Sequence, residues 1–88
     1  MQPSVSQAEW REVVSRVVKS EMSKRKLKYE DLSQMLEKTG TIQTSANLRN
    51  KINRGIMGAE LFIQILIVLD LKRLDIDSIR DISDFLSK

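Results

Sequence analysis

Apolar residues fall along the chain in helical rhythm from the start. Ser6 followed three positions later by Glu9 is a capping-box pattern, and Trp10, Val13, Val14, Val17, Val18 and Met22 then recur at helical spacing. The pattern predicts a first helix over about residues 7–25. After a break at Leu27 and Lys28, Glu30 and Asp31 open a second helix, whose stripe is Leu32, Met35 and Leu36 and whose stop is Gly40. That helix spans about 29–38, and a polar connector follows. Leu48 and Ile52 lie one turn apart in an uninterrupted stretch from 45 to 54, and Gly55 is placed to end it. The third helix is short and polar.

Residues 61–71 form a nearly unbroken apolar run in which Gln64 and Asp70 are the only polar members. Periodicity does not separate a strand from a helix here. The length favours a helix buried on most sides and is too short for a bilayer, which takes about 20 residues. A fifth, amphipathic helix over about 75–87 carries the stripe Ile76, Ile79, Ile82, Phe85 and Leu86 through an acidic segment. Five helices, no convincing strand pair and no repeat predict an all-α fold, one compact bundle over residues 1–88.

Composition narrows the chemistry. The chain of 88 residues is 41% hydrophobic and 31% charged, enough for a core and too apolar for a disordered tail. It has no cysteine and no histidine, which excludes disulfides, zinc fingers, thiol nucleophiles and imidazole bases together. No serine, lysine or carboxylate falls in a nucleophile-elbow or phosphate-loop pattern, so neither catalysis nor a cofactor is expected. The polar start, residues 1–8, lacks the apolar run of a signal peptide, and a cytoplasmic setting without membrane contact is expected.

The net charge of +3 is unevenly spread: residues 1–58 hold eleven Lys and Arg against six Asp and Glu, and residues 59–88 hold four against six. A polyanion suits the positive two thirds, although a solvated basic face accounts for the charge equally well. Lys24, Arg25, Lys26 and Lys28 crowd the end of the first helix, where they either complement its dipole or contact phosphates. Two weaker signals are set aside. Gly55-Ile56-Met57-Gly58 has the GxxG form of single-strand-binding loops without their sheet, and Asp75, Asp77, Asp81 and Asp84 lack the glycine and terminal glutamate of a calcium loop, so no metal is expected.

The order of elements over 27–71 is the informative feature. In Leu27-Lys28-Tyr29-Glu30-Asp31-Leu32, Lys51-Ile52-Asn53-Arg54-Gly55 and Leu69-Asp70-Leu71 it resembles the helix-turn-helix core of the phage-repressor and Cro-like family. Ala46-Asn47-Leu48-Arg49-Asn50-Lys51-Ile52-Asn53-Arg54-Gly55, with the segment 27–36, is closer still to a small bacterial domain family of uncharacterised function with a helix-turn-helix-like core. Two departures from the repressor pattern bear on the angle of the third helix: a longer connector before it and a shorter one after it.

The resemblance implies double-stranded DNA as partner, a role in bacterial or phage transcription, and a third helix that enters the major groove. With Leu48 and Ile52 inward, Ala46, Asn50, Asn53 and Arg54 face out and Asn47 and Arg49 flank them. Asparagine can pair with adenine and arginine with guanine, while Thr44 or Ser45 caps the helix or meets a phosphate. The DNA-contact set is thus Thr44, Ser45, Asn47, Arg49, Asn50, Lys51, Asn53 and Arg54. The competing reading is a protein-interaction module: the apolar surplus of the last two helices fits a homodimer through the C-terminal half, with Ile76, Ile79, Ile82 and Phe85 at its interface.

Overall fold

Four of the five helices end in the same backbone device, and those stops set the lengths of everything between them. A computed structural model describes residues 5–87; residues 1–4 and Lys88, the two ends of the expected 1–88 domain, lie outside it. The helices are α1 (Gln7–Lys24), α2 (Tyr29–Lys38), α3 (Ser45–Arg54), α4 (Ala59–Val68) and α5 (Ile76–Leu86), and no strand occurs among the described residues. The fold is all-α, as the periodicity predicts.

At the ends of α1, α2, α3 and α4 a left-handed residue turns the chain: Lys26, Gly40, Gly55 and Asp70. In each case the next N–H reaches back five residues, from Leu27 to the Met22 carbonyl, Thr41 to Leu36, Ile56 to Lys51 and Leu71 to Leu66, all at 3.0 Å. These bonds satisfy carbonyls that a helix end otherwise leaves without partners. The starts are capped in turn. Ser6 and Glu9 form the expected capping box, Thr44 Oγ1 accepts from the Asn47 N–H at 3.0 Å, and Asp75 accepts from the Ser78 N–H at 3.2 Å.

The core gathers Val18 and Met22 from α1, Leu32 and Leu36 from α2, Leu48 and Ile52 from α3, and Leu61, Ile65 and Leu69 from α4 and its end. Leu48 and Ile52 are wholly buried, each contributing about 1.5–3 kcal/mol by leaving water. α1 packs on α3 and α5, and α2 on α3 and α4. The connector over residues 39–44 is longer than a tight turn but firmly tethered: Ser33 Oγ donates to the Gln43 carbonyl, Thr41 Oγ1 to Gln64 Oε1, and Lys51 Nζ to Gln43 Oε1.

The structure corrects three expectations. The fourth helix begins two residues before Leu61 and stops at Val68, because Asp70 adopts φ +62°. It is not buried on most sides, since Ile63 and Ile67 are 54% and 67% exposed. Trp10, expected in the core stripe, is 48% exposed at the outer end of α1.

One contact fixes α1 against α3. Gly55 is buried at φ +63°, and a Cβ built on it would stand 1.8 Å from the backbone oxygen of Arg11. Gly40 has φ +93° and nothing within 4 Å of the same construction. Gly40→Ala therefore carries only the left-handed penalty, about 1–2 kcal/mol, whereas Gly55→Ala adds an overpacking cost of about 1–3 kcal/mol. Urea unfolding of the two variants checks this; equal losses at the two glycines would show that the α1–α3 approach yields easily. At Lys26 (φ +56°) the substitution runs the other way. Lys26→Gly relieves about 1–2 kcal/mol of backbone strain against about 0.5–1 kcal/mol of added chain entropy, so its unfolding midpoint rises.

Candidate nucleic-acid interface

The outward side of α3 follows from its two core anchors. With Leu48 and Ile52 fixed inward, Ala46, Asn47, Arg49, Asn50, Asn53 and Arg54 are exposed, and Ser45 and Lys51 are half-buried at the edges. The helix holds no carboxylate. Its exposed face therefore offers amide and guanidinium donors without an acidic neighbour on the same helix. The eight residues of the expected set do not play equal parts. Thr44 Oγ1 accepts in the cap and keeps its O–H donor, and Lys51 Nζ engages one of its three donors with Gln43 of the connector. Asn47, Asn50 and Arg54 reach solvent, and among the described residues no side-chain hydrogen bond holds them.

Arg49 and Asn53 are held from outside α3. Both meet Tyr29, the first residue of α2: the Arg49 guanidinium carbon lies 5.7 Å from the centre of the Tyr29 ring, and the Tyr29 hydroxyl donates to Asn53 Oδ1 at 3.3 Å. Tyr29 is the residue that sequence reasoning passed over. The signal available was its place at the start of the second helix, within a stretch already noted for family resemblance, but the pairing itself spans two elements.

Beside this pair lies a groove of about 650 Å³ formed where the end of α1, the turn after it and the start of α2 meet α3. Lys19, Lys26, Lys28 and Arg49 contribute its four cations, Glu30 its one carboxylate, and Met22, Leu27 and Tyr29 its apolar part. Lys26 and Lys28 thus lie with Arg49 along one groove. Lys19 belongs with them, although its place on the polar side of the first helix gave no hint of which cations it would meet.

Lys24 and Arg25 do not line that groove. They line a separate cleft with Val17, Leu71, Ile79 and Ile82, between α1 and α5. Both bind Glu21: Arg25 Nη1 donates to Glu21 Oε1 at 2.8 Å and to its backbone oxygen at 2.8 Å, and Lys24 Nζ lies 3.2 Å from Glu21 Oε2. The Arg25 hydrogen bond holds the Glu21 carboxyl below the ordinary carboxylate range. One carboxylate offsets one of these two positive charges, so the basic run divides into a half that pairs with Glu21 and a half that lines the groove.

The proposed oligomer stripe is divided as well. α5 lies antiparallel on α1, with Asp75 and Ser78 near Lys24 and the Phe85 ring 5.6 Å from the Arg16 guanidinium carbon. Ile79 and Ile82 turn into the cleft with Val17 and are half-buried, which removes them from an outer face, while Ile76 and Phe85 stay 54% and 63% exposed.

Residues 10–74 match the family model described as a domain of unknown function (DUF6471), and the chain belongs to that family. The match takes in α1 from Trp10 onward, α2 to α4 and the groove, and stops short of α5. Neither a curated protein nor a solved structure matches the chain. No described helix is long and apolar enough to cross a membrane, and no cluster of three metal-ligating side chains occurs among the described residues.

Proposed function

We propose that this chain binds double-stranded DNA, with α3 in the major groove and the groove lysines on the phosphate backbone. The observation that carries this reading is the placement of Lys19, Lys26 and Lys28 beside an acid-free helix whose outer side is Asn47, Arg49, Asn50, Asn53 and Arg54. Cations along one edge supply the sequence-independent attraction, and amide and guanidinium groups supply base readout. α2, the tethered connector and α3 then act as a helix-turn-helix unit of the kind seen in phage-repressor-like proteins. The role that follows is a small regulator of transcription, of the sort bacteria and their phages carry, working in the cytoplasm by binding and not by catalysis.

A second reading concerns assembly, and the isoleucines of α4 favour it. Ile63 and Ile67 lie one turn apart and exposed, and no ionisable residue occurs from Leu61 to Leu69. Two copies of this chain can meet there across a twofold axis without opposing like charges. The outer side of α5, by contrast, would bring Asp77, Asp81 and Asp84 toward their own images. A dimer through α4 serves DNA binding by presenting two α3 helices, about 34 Å apart for successive turns of a palindromic site. It serves equally a protein-interaction module that binds no DNA.

Binding to random duplex DNA over a salt series tests the first reading. The affinity falls steeply and linearly on logarithmic axes, and changing Lys19, Lys26 and Lys28 together to Gln lowers the slope by about one unit per lysine, while Lys24→Gln leaves it nearly unchanged. On a selected site, Asn50→Ala costs ~1–3 kcal/mol without altering the fold. Absence of binding at low salt rejects this reading. Sedimentation equilibrium tests the second: the wild type is dimeric and Ile67→Glu is monomeric with unchanged helicity, and a wild type monomeric at high concentration removes the α4 dimer.

A further inference from the structure

Two of the α3 residues able to read bases share one partner. Arg49 and Asn53 are four residues apart and so lie on one side of the helix, and Tyr29 meets both at once. Its ring lies under the Arg49 guanidinium, and its hydroxyl donates to the Asn53 side-chain oxygen. Tyr29 is itself half-buried, packs against the core beside Leu27, and stands at the first position of α2, where Lys28 and Asp31 cap the helix through a 2.8 Å bond. The ring is thus anchored by one helix while it orders side chains of another.

We infer that Tyr29 is a specificity-determining positioning residue, which seats Arg49 and sets the direction of the Asn53 amide for reading bases. This inference rests on the DNA reading above. An arginine left free on a helix surface samples many rotamers, and each must be given up on binding. Held over a ring at 5.7 Å, within cation–π reach, the guanidinium is drawn toward one position while its N–H donors stay available for a guanine edge. The hydroxyl engages one of the two lone pairs of Asn53 Oδ1 and turns that oxygen toward α2, which favours the N–H donors on the side away from Tyr29. Donors suit the N7 and O6 of guanine or the O4 of thymine, whereas the bidentate adenine contact also needs the amide oxygen. Asn50, which lies on the same exposed side without such a partner, remains the amide free to pair with adenine. The two asparagines therefore read different edges, although the sequence presents them as equivalents.

The test uses a duplex selected by the wild type from a randomised library, a set of its single-base-pair substitutions, and the variants Tyr29→Phe and Tyr29→Leu. Tyr29→Leu binds the selected duplex about tenfold more weakly, with its salt slope and its affinity for random duplex unchanged. Tyr29→Phe keeps the ring, so discrimination at the base pair read by Arg49 persists. It relaxes only at the pair that Asn53→Ala also relaxes. A second readout needs no DNA: in the free protein, nitrogen-15 spectra show the Asn53 side-chain amide moving in Tyr29→Phe, and the Arg49 Nε signal moving only in Tyr29→Leu. Wild-type discrimination at every base pair in both variants, or side-chain signals that do not respond, overturns the inference while DNA binding stands. A wild type that selects no duplex removes the DNA reading, and the specificity role falls with it.

Discussion

The α1–α3 contact at Gly55 is the constraint on which the remaining geometry depends. The backbone of α3 ends against the backbone of α1, with no side chain between Gly55 and the Arg11 carbonyl. Backbone against backbone leaves no rotamer to adjust, so the distance between these helices is set at that point. Because α1 also carries α5 along another side and runs on through the turn at Lys26 to Tyr29, its seating places both the groove and the cleft. α3 is then held from two directions. Gly55 fixes its end, and Ser33, Gln64 and Lys51 fix the connector that leads into its start.

That arrangement turns a run of cations into two surfaces of different character. Lys24 and Arg25 fall on the side of α1 where Glu21 waits four positions or fewer away, and both pair with its one carboxylate. Lys26 lies past the left-handed turn and Lys28 beyond it, where the chain has changed direction, and they join Lys19 from the other side of the helix. Exposed ion pairs contribute little to stability, so what separates the two groups of cations is the face that each lines.

Much of this was legible in the chain. The bounds of α2 and α3 follow from glycine stops and from Leu32, Leu36, Leu48 and Ile52, and the outward side of α3 follows from its two anchors. The end of α4 was not, because Asp70 does a turn normally left to glycine, and an apolar run continuing to Leu71 masks the stop. The isoleucine excess misled for a related reason. A helix packed chiefly on one neighbour can bury only one side, so Ile63 and Ile67 are left outside, and composition does not reveal which. Within the candidate interface, residue types were readable but their partners were not. Nothing local distinguishes Lys51, bound to Gln43, from a free lysine, or Asn53, held by Tyr29, from Asn50, since each partner comes from another element.

The closeness of Arg11 and Gly55 also bears on the order of assembly. Half of the chain lies between them, whereas α2, its connector, α3 and α4 follow one another with short separations. Local contacts form cheaply, and a closure this long must wait for the entropy of the intervening segment to be offset. During synthesis α1 emerges before α3 and thus lacks this seat until the turn at Gly55 has been made and the segment between has begun to pack. For that interval Val13, Val17, Val18 and Met22 face water, and the newborn chain is at its most vulnerable to misassociation along the helix that later holds it together.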